Sequence, residues 1–320
     1  MKTIAVLTSG GDAPGMNAAV RAVVRTAISL GMTVKGVRRG YAGLIEGDII
    51  DMDARSVSDI IHRGGTMLYT ARCPEFKTEE GIDKAVATCK EHGIEGIVVI
   101  GGDGSFRGAR DMSLKGIPCV GVPGTIDNDI SSTEYTIGYD TAMNTAMEMV
   151  DKLRDTAQSH ERCSVVEVMG RRAGYLALQT GIACGAVSIL DPEVKFDIDK
   201  DVIQKIRDIR KTGKKHFVVV VAEGVGGVEG IADRIEQATG IESRATVLGH
   251  VQRGGSPTVR DRVMASQLGY HAVELLNNGI GNRVVTFRNN KIGDEDIYEA
   301  LAMVKIFDVD EYNIATAISI

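Results

Sequence analysis

Short β-branched, apolar runs alternate along this chain with segments whose apolar residues recur every three or four positions. The runs are Thr3–Thr8, Thr33–Val37, Gly96–Ile100, Pro118–Val122, Ser164–Val168, Ala186–Leu190, Phe217–Ala222 and Thr246–Gly249. Several are apolar throughout rather than alternating, as in strands buried on both faces of a parallel sheet. Between them, Met16, Ala19, Val20, Val23, Val24, Ala27 and Leu30 recur at helical spacing. Ala142, Ala146, Met149, Val150, Leu153 and Ala157 do the same in a longer helix. Alternation of strand and helix predicts an α/β fold, doubly wound, with mostly parallel sheets. No proline-rich or serine-rich linker divides the chain. The break between sheets is expected near Gly138, where the long helix begins. No fixed-period repeat, coiled-coil heptad or low-complexity tract is present.

Composition narrows the class. A length of 320 residues accommodates about two domains, each with its own core. Hydrophobic residues at 43% and charged residues at 25% describe a folded globular chain rather than a disordered one. No apolar run approaches the roughly 20 residues of a membrane helix, and the opening MKTIAVLTSGGD does not read as a signal peptide. A net charge of −6 without basic blocks argues against nucleic-acid binding. The five cysteines (Cys73, Cys89, Cys119, Cys163, Cys184) have no metal spacing, so reduced thiols and a cytoplasmic location are expected. Glycine is the outlier: 38 residues against 6 prolines place it at tight turns or beside a ligand rather than in linkers.

The glycines gather in loops that directly follow strands, where open α/β sheets bind ligands. Ser9–Gly15 joins a strand to a helix and suits a phosphate cradle, although a plain tight turn uses the same residues. No Gly-Lys-Ser/Thr follows, so it is not a Walker loop. Gly101–Ser105 adds a carboxylate: Asp103 suits Mg²⁺ on nucleotide phosphates, or else serves as a helix cap. In Pro123–Asp129, Asp127 and Asp129 suit a general base and a group acting near the metal; a self-satisfied Asx-turn is the alternative. Met169–Gly174, Glu223–Gly227 and Gly249–Pro257 carry Arg171, Arg172, Glu223, His250 and Arg253. Guanidinium groups fork onto phosphate oxygens, and a carboxylate accepts from sugar hydroxyls. Arg21 and Arg25, four apart on a helix, and Lys214-Lys215-His216 read as anion contacts or as solvated surface. His62, His92, His160 and His271 show no metal spacing.

Taken together, LTSGGDAPGMNA, YTARCPEF, IGGDGS, PGTIDND, VMGRRAG and LGHVQRGGSPT, in that order, resemble the bacterial ATP-dependent 6-phosphofructokinases over essentially the whole chain. The resemblance implies phosphoryl transfer from ATP, with Mg²⁺, to the 1-hydroxyl of fructose 6-phosphate in glycolysis. It implies Gly11, Arg72, Cys73, Gly102, Asp103, Gly104 and Ser105 at the nucleotide, with Asp103 at the metal. Asp127 would be the base, Thr125 would touch the transferring group or the sugar, and Arg72 and Arg171 would neutralise charge. Ile126, Met169, Gly170, Glu223, His250, Val251, Gln252 and Arg253 would line the sugar phosphate. Arg162 and Arg244 would reach that site from a neighbouring subunit, so a homotetramer is implied. The resemblance implies two doubly wound domains with the active site in the cleft between them: residues 1–138 plus 251–305 for ATP, and 139–250 plus 306–320 for fructose 6-phosphate.

Pyrophosphate-using relatives of that family tend to carry an acidic residue where Gly104 stands and a lysine where Gly124 stands, so the resemblance favours ATP. A catalytically silent sensor is the reading from another class, and the presence of Asp103, Asp127 and Asp129 argues against it. The family's effector site maps onto Arg21, Arg25, Arg154, Gly185, Val187, Lys214, Lys215 and His216. Three positions depart from its pattern. Val187 stands where an acidic residue usually helps to hold the effector's Mg²⁺, and Thr212 and Ala54 stand where many relatives have arginine, with Lys211 and Arg55 adjacent.

Overall fold

A computed structural model describes residues 1–319. In chain order the elements are β1 (Thr3–Thr8), α1 (Met16–Ser29), β2 (Thr33–Val37), α2 (Gly40–Glu46), β3 (Ile49–Met52), α3 (Glu79–Glu91), β4 (Gly96–Gly101), α4 (Asp103–Leu114), β5 (Cys119–Pro123), α5 (Tyr139–His160) and β6 (Cys163–Val168). There follow α6 (Tyr175–Ala183), β7 (Ser188–Leu190), α7 (Lys205–Arg210), β8 (Phe217–Ala222), α8 (Val228–Thr239), β9 (Ser243–Val247), α9 (Val259–Asn277), β10 (Arg283–Arg288), β11 (Lys291–Asp296), α10 (Ile297–Ala302) and α11 (Val309–Ile318). The chain divides into two compact units. The first takes residues 1–126, 130–141 and 253–305; the second takes 127–129, 142–252 and the segment from 306 onward.

The first unit holds a seven-stranded sheet in the order β11-β10-β5-β4-β1-β2-β3. Its centre is parallel, because β1 pairs with β2 and β4, and β5 pairs with β4 and β10. Both edges turn antiparallel, β3 on β2 and β11 on β10. All six residues of β4 are buried, as expected for a strand covered by helices on both faces. Leu7, Val99, Phe106, Met112 and Val284 share one core cluster. The second unit holds a four-stranded sheet, β7-β8-β6-β9, parallel throughout. Val165, Val219, Val221, Ile206 and Ile235 form its core. The α/β class and the mostly parallel sheets are those the sequence pattern predicts.

Some elements differ from the sequence reading. The expected strand Thr246–Gly249 is displaced: β9 runs Ser243–Val247, and Gly249–Arg253 is a 3-10 turn. Ser243 and Arg244 hide the strand start by their polarity, and Gly249 ends any extension with a left-handed φ of 57°. β3, β10 and β11 are absent from the apolar-run reading, because they are edge or half-buried strands. Asn289 and Asn290 sit at φ 51° and 59° between β10 and β11, a hairpin signal that was present in the sequence. Leu30 caps the end of α1 and is 45% exposed instead of buried. Met149 and Leu153 are half-buried on their helix, while Ala142, Ala146, Val150 and Ala157 are buried. Among the described residues no helix is long and apolar enough to cross a membrane. The five cysteines are free thiols, four of them buried.

One polar group organises the first unit. Asp261, in the first turn of α9, is fully buried. It accepts from Tyr135 Oη (2.5 Å), Gly138 N (2.7 Å), Thr141 N (2.8 Å) and Thr141 Oγ1 (2.5 Å). Thr258, the cap of α9, accepts from Asp261 N at 3.2 Å. Charge-assisted bonds from several donors make burial of a carboxylate tolerable, and removing it leaves those donors unsatisfied. Asp261→Ala is therefore expected to destabilise the protein by about 3 kcal/mol or more, read as a lowered urea midpoint. An unchanged midpoint would show that this hub is dispensable.

Candidate active site

In the first unit, chemistry collects at the carboxyl ends of three neighbouring parallel strands, β5, β4 and β1. The loop Ser9–Gly15 leaves β1 with Gly10 at φ 87° and Gly15 at φ 105°, the latter capping α1. Ser9 N donates to Ile100 O (2.9 Å), so this loop is stitched to the end of β4. Since β2 and β4 flank β1 on opposite sides, the crossovers diverge here, and open α/β sheets form their ligand crevice at such a point. Gly101 permits the close approach: a Cβ there would lie 2.5 Å from Ser9 O and from Ser105 Oγ.

Gly102 caps α4, which begins at Asp103, so its first-turn N–H groups face the loop end. Ser105 N donates to Gly102 O (2.9 Å), and Tyr41 Oη donates to Ser105 O (2.6 Å). Asp103 is about half exposed and pairs with Arg107 at 3.0 Å, one helical turn on. Thr125 follows β5 and lies beside Gly102, where a built Cβ would stand 3.9 Å from Thr125 Cβ. Thr136 Oγ1 fixes that segment by donating to Thr125 O (2.6 Å). Ile126, expected to line the sugar phosphate, is wholly buried and presents no surface. Arg253 Nη1 donates to Asp12 O (3.2 Å) and lies against Gly11. Arg72 is exposed, and Cys73 packs partly against the core. The structure thus gathers Gly11, Gly102, Asp103, Ser105, Thr125 and Arg253 on the strand-end side of one sheet.

The second unit gathers a charged set in the same position relative to its own sheet. Met169–Gly174 follows β6, Glu223 follows β8, and residues 249–252 follow β9. Glu223 N donates to Val168 O (2.9 Å) and Leu248 N to Glu167 O (3.0 Å), which holds the three loop starts together. Met169 N donates to Gln252 Oε1 (2.8 Å), and Arg171 N donates to Glu223 Oε2 (2.9 Å). Arg171 stands at φ 56°, a left-handed conformation stabilised by these contacts. Its Nε lies 3.1 Å from Asp127 Oδ2, a carboxylate with no exposed surface, while the Arg171 side chain is 59% exposed. A buried anion thus faces an accessible cation. His250 and Val251 are exposed, and Gln252 is buried by its bond to Met169.

Arg162 and Arg244 are not brought to that set. Arg162 precedes β6, at the end opposite Met169, and Arg244 pairs with Ser164 near the start of the sheet. Glu242 holds both: its Oε2 accepts from Arg162 Nε (2.7 Å) and its Oε1 from Arg244 Nη2 (2.6 Å). The two guanidinium groups hold the Glu242 carboxyl below its usual range. Of the expected effector residues, those in the second unit lie away from the strand-end loops, near the start of its sheet. Arg154 donates to Cys184 O, Lys215 pairs with Glu161 (2.7 Å), and burial together with Lys214 and Arg154 lowers the His216 pKa. Val187 is buried in the core of its unit, Gly185 has φ 59°, and Lys211 pairs with Asp208 at 2.6 Å. Arg21 and Arg25 lie on the less buried face of α1 in the first unit. Sequence reading missed Glu242, Asp191 and Glu193. They carry no motif, and only the folded sheet shows what they touch.

The model of the phosphofructokinase family matches residues 3–276. A curated relative from Bacillus cytotoxicus, an ATP-dependent 6-phosphofructokinase, is 58% identical over 320 residues, covering all of both chains. Another of that name, from Clostridium botulinum (strain Hall), is 59% identical over 319 residues and again covers both chains in full. Among solved structures, phosphofructokinase from Saccharomyces cerevisiae superposes with a TM-score of 0.90 at 36% identity, over 99% of this chain and 47% of that one. This chain therefore spans about half of the yeast chain. Strand-end loops of the observed kind, a family match across most of the sequence and end-to-end relatives at 58–59% identity lead to one conclusion: this chain belongs to the phosphofructokinase family.

Proposed function

We propose that the chain transfers the γ-phosphoryl group of ATP to the 1-hydroxyl of fructose 6-phosphate, giving fructose 1,6-bisphosphate and ADP, a committed step of glycolysis. The observation that carries this is the end-to-end identity with enzymes named ATP-dependent 6-phosphofructokinase. Phosphoryl transfer depends on positioning and charge neutralisation, and the site offers both. The first unit supplies the nucleotide cradle, with the Gly11 loop and the start of α4 turning backbone N–H groups toward phosphates. Asp127 takes the proton of the sugar hydroxyl as its oxygen attacks the γ-phosphorus and ADP leaves. Arg171 offsets the cost of burying that anion and, with Arg72, neutralises charge on the transferring group. Thr125 contacts the transferring group or the sugar. Met169, Gly170, Glu223, His250 and Arg253 hold the sugar phosphate, with Ile126, Val251 and Gln252 beside it.

Mg²⁺ fits this cradle. Asp103 offers one hard oxygen donor in the first turn of α4, and a Cβ at Gly104 would meet no atom within 4 Å, which leaves room for phosphates beside it. Among the described residues no group of three or more acidic, histidine or cysteine side chains could hold a metal, so most of the cation's ligands would be phosphate oxygens and water. When bound, Mg²⁺ neutralises phosphate charge and orients the donor. The positions of Arg162 and Arg244, away from the strand-end loops, support service to a neighbouring copy's site in a homotetramer. A cytoplasmic location accords with free cysteines and the absence of a spanning helix among the described residues.

A coupled assay with ATP and then with pyrophosphate tests the function. Turnover with ATP is expected; turnover with pyrophosphate alone, or with neither, overturns it. Asp127→Ala is expected to lower kcat by roughly 10²–10⁴ with little change in fructose 6-phosphate binding; near-normal turnover would remove Asp127 from that role. Gly104→Asp places a carboxylate in open space, so we expect an unchanged unfolding midpoint and an ATP KM raised roughly tenfold or more by charge repulsion. Gly124 tolerates less, since a Cβ there would stand 3.1 Å from Ile100 Cγ2 and 3.3 Å from Met16 Cε. At the effector group, a core-buried valine at 187 cannot ligate a hard cation. Mg·ADP is therefore expected to activate weakly or not at all. A strong leftward shift of the fructose 6-phosphate saturation curve on adding Mg·ADP, abolished by Arg25→Ala, would contradict that.

A further inference from the structure

The turn after β7, Asp191-Pro192-Glu193, lies beneath the loop that carries Arg171. Glu193 accepts from Gly174 N through both oxygens, at 3.0 and 3.1 Å. Gly174 caps α6 and closes the loop Met169–Gly174. Asp191 has no exposed surface, and among the described residues neither of its oxygens has a hydrogen-bond partner. A Cβ built on Gly174 would stand 2.5 Å from Asp191 Oδ1 and 2.8 Å from Glu193 Oε2, so the two carboxyl groups flank one point above that glycine. Pro192 completes the support. A Cβ on Gly224 would meet Pro192 Cγ at 3.1 Å and Arg171 O at 2.8 Å, so proline and loop both pack close to that glycine.

A buried carboxyl with no donor beside it is costly as an anion. Two carboxyl groups converging on one point accommodate a single shared negative charge, not two. We propose that Asp191 is a positioning residue: as a neutral acid it leaves Glu193 free to clamp Gly174 at the start of α6, so that the Met169–Gly174 loop holds Arg171 on Asp127. Ionising Asp191 sets two anions against each other under Gly174, and the clamp opens. This rests on the assignment of that loop to the phosphoryl-transfer site.

Among the described residues, the charged group that bears on Asp191 is an anion, and no cation offsets it. Glu193 comes from its own turn. Tyr312 comes from α11, its hydroxyl donating to Ile189 O at 3.1 Å, and the Asp191 and Asp201 charges help burial to raise its pKa. Tyr175, at the start of α6, is raised to about 12 by burial, then by Glu193 and Asp129. Burial and then Glu193 push the Asp191 carboxyl up to about 8. Its unfolded value is near 3.9, so between about pH 4 and 8 folding takes up a proton. Stability from this group therefore falls as pH rises through that window, and above it the folded protein carries the carboxylate.

The test is the pH profile of the enzyme and of the Asp191→Asn variant, which keeps the shape and cannot ionise. Wild-type kcat/KM for fructose 6-phosphate is expected to fall about tenfold from pH 7 to pH 9, and the variant by less than about twofold. A variant with the same alkaline fall overturns the proposal. Carboxyl-carbon NMR of the wild-type protein, labelled at aspartate, gives a second reading that needs no variant to fold. One aspartate titrating near pH 8 supports the clamp, and the absence of any aspartate titrating above pH 7 overturns it. If fructose 6-phosphate is not phosphorylated at any pH, the proposed function fails, and the carboxyl titration still decides the protonation state on which the clamp depends.

Discussion

Everything in this protein follows from one constraint: its central parallel strands are buried on both faces. Strands such as β4 and β8, buried at every position, have no room for a charged side chain along their length. Polar chemistry is displaced to the strand ends, and in a parallel sheet all carboxyl ends lie on the same side. Loops far apart in sequence, after β1, β4 and β5 in one unit and after β6, β8 and β9 in the other, therefore become neighbours without any direct attraction between them. The hydrophobic core decides where the site is; the loops decide what it does.

The two units use this position differently. In the first, the strand ends carry glycines and helix starts, which leave backbone N–H groups uncovered by side chains. In the second, they carry the charged side chains Arg171, Glu223 and His250, with Arg171 paired to the buried Asp127. Such a division suits the reaction proposed above. A polyphosphate needs many donors at close range, whereas a sugar phosphate needs a few groups placed on particular oxygens. Fixing those groups takes contacts within the loops themselves: Gln252 on Met169, Glu223 on the Arg171 backbone, and Glu193 on Gly174.

Central strands and principal helices were legible because burial on both faces writes a continuous apolar run, and burial on one helical face writes a period of three to four. The strands that escaped, β3, β9, β10 and β11, are edge or half-buried, so packing imposes no such run. Leu30 escaped in the other direction: its spacing is helical, but the helix stops at Ser29 and leaves it in solvent. The glycine loops were legible for a related reason. Close backbone approach admits no side chain, and that requirement is local and survives in sequence.

By itself, then, the sequence determined the α/β class, the strand-end location of the chemistry and the residues of the six loops, since each is set by local burial or local backbone geometry. Only the tertiary structure decided which of those residues meet. Arg171 on Asp127, both Arg162 and Arg244 on Glu242, and Asp191 beside Glu193 under Gly174 depend on strand order and register. Arg171 and Asp127 are 44 residues apart in sequence, and no periodicity links them. Their contact is made inside the second unit, and the nearby guanidinium offsets part of the cost of burying that carboxylate.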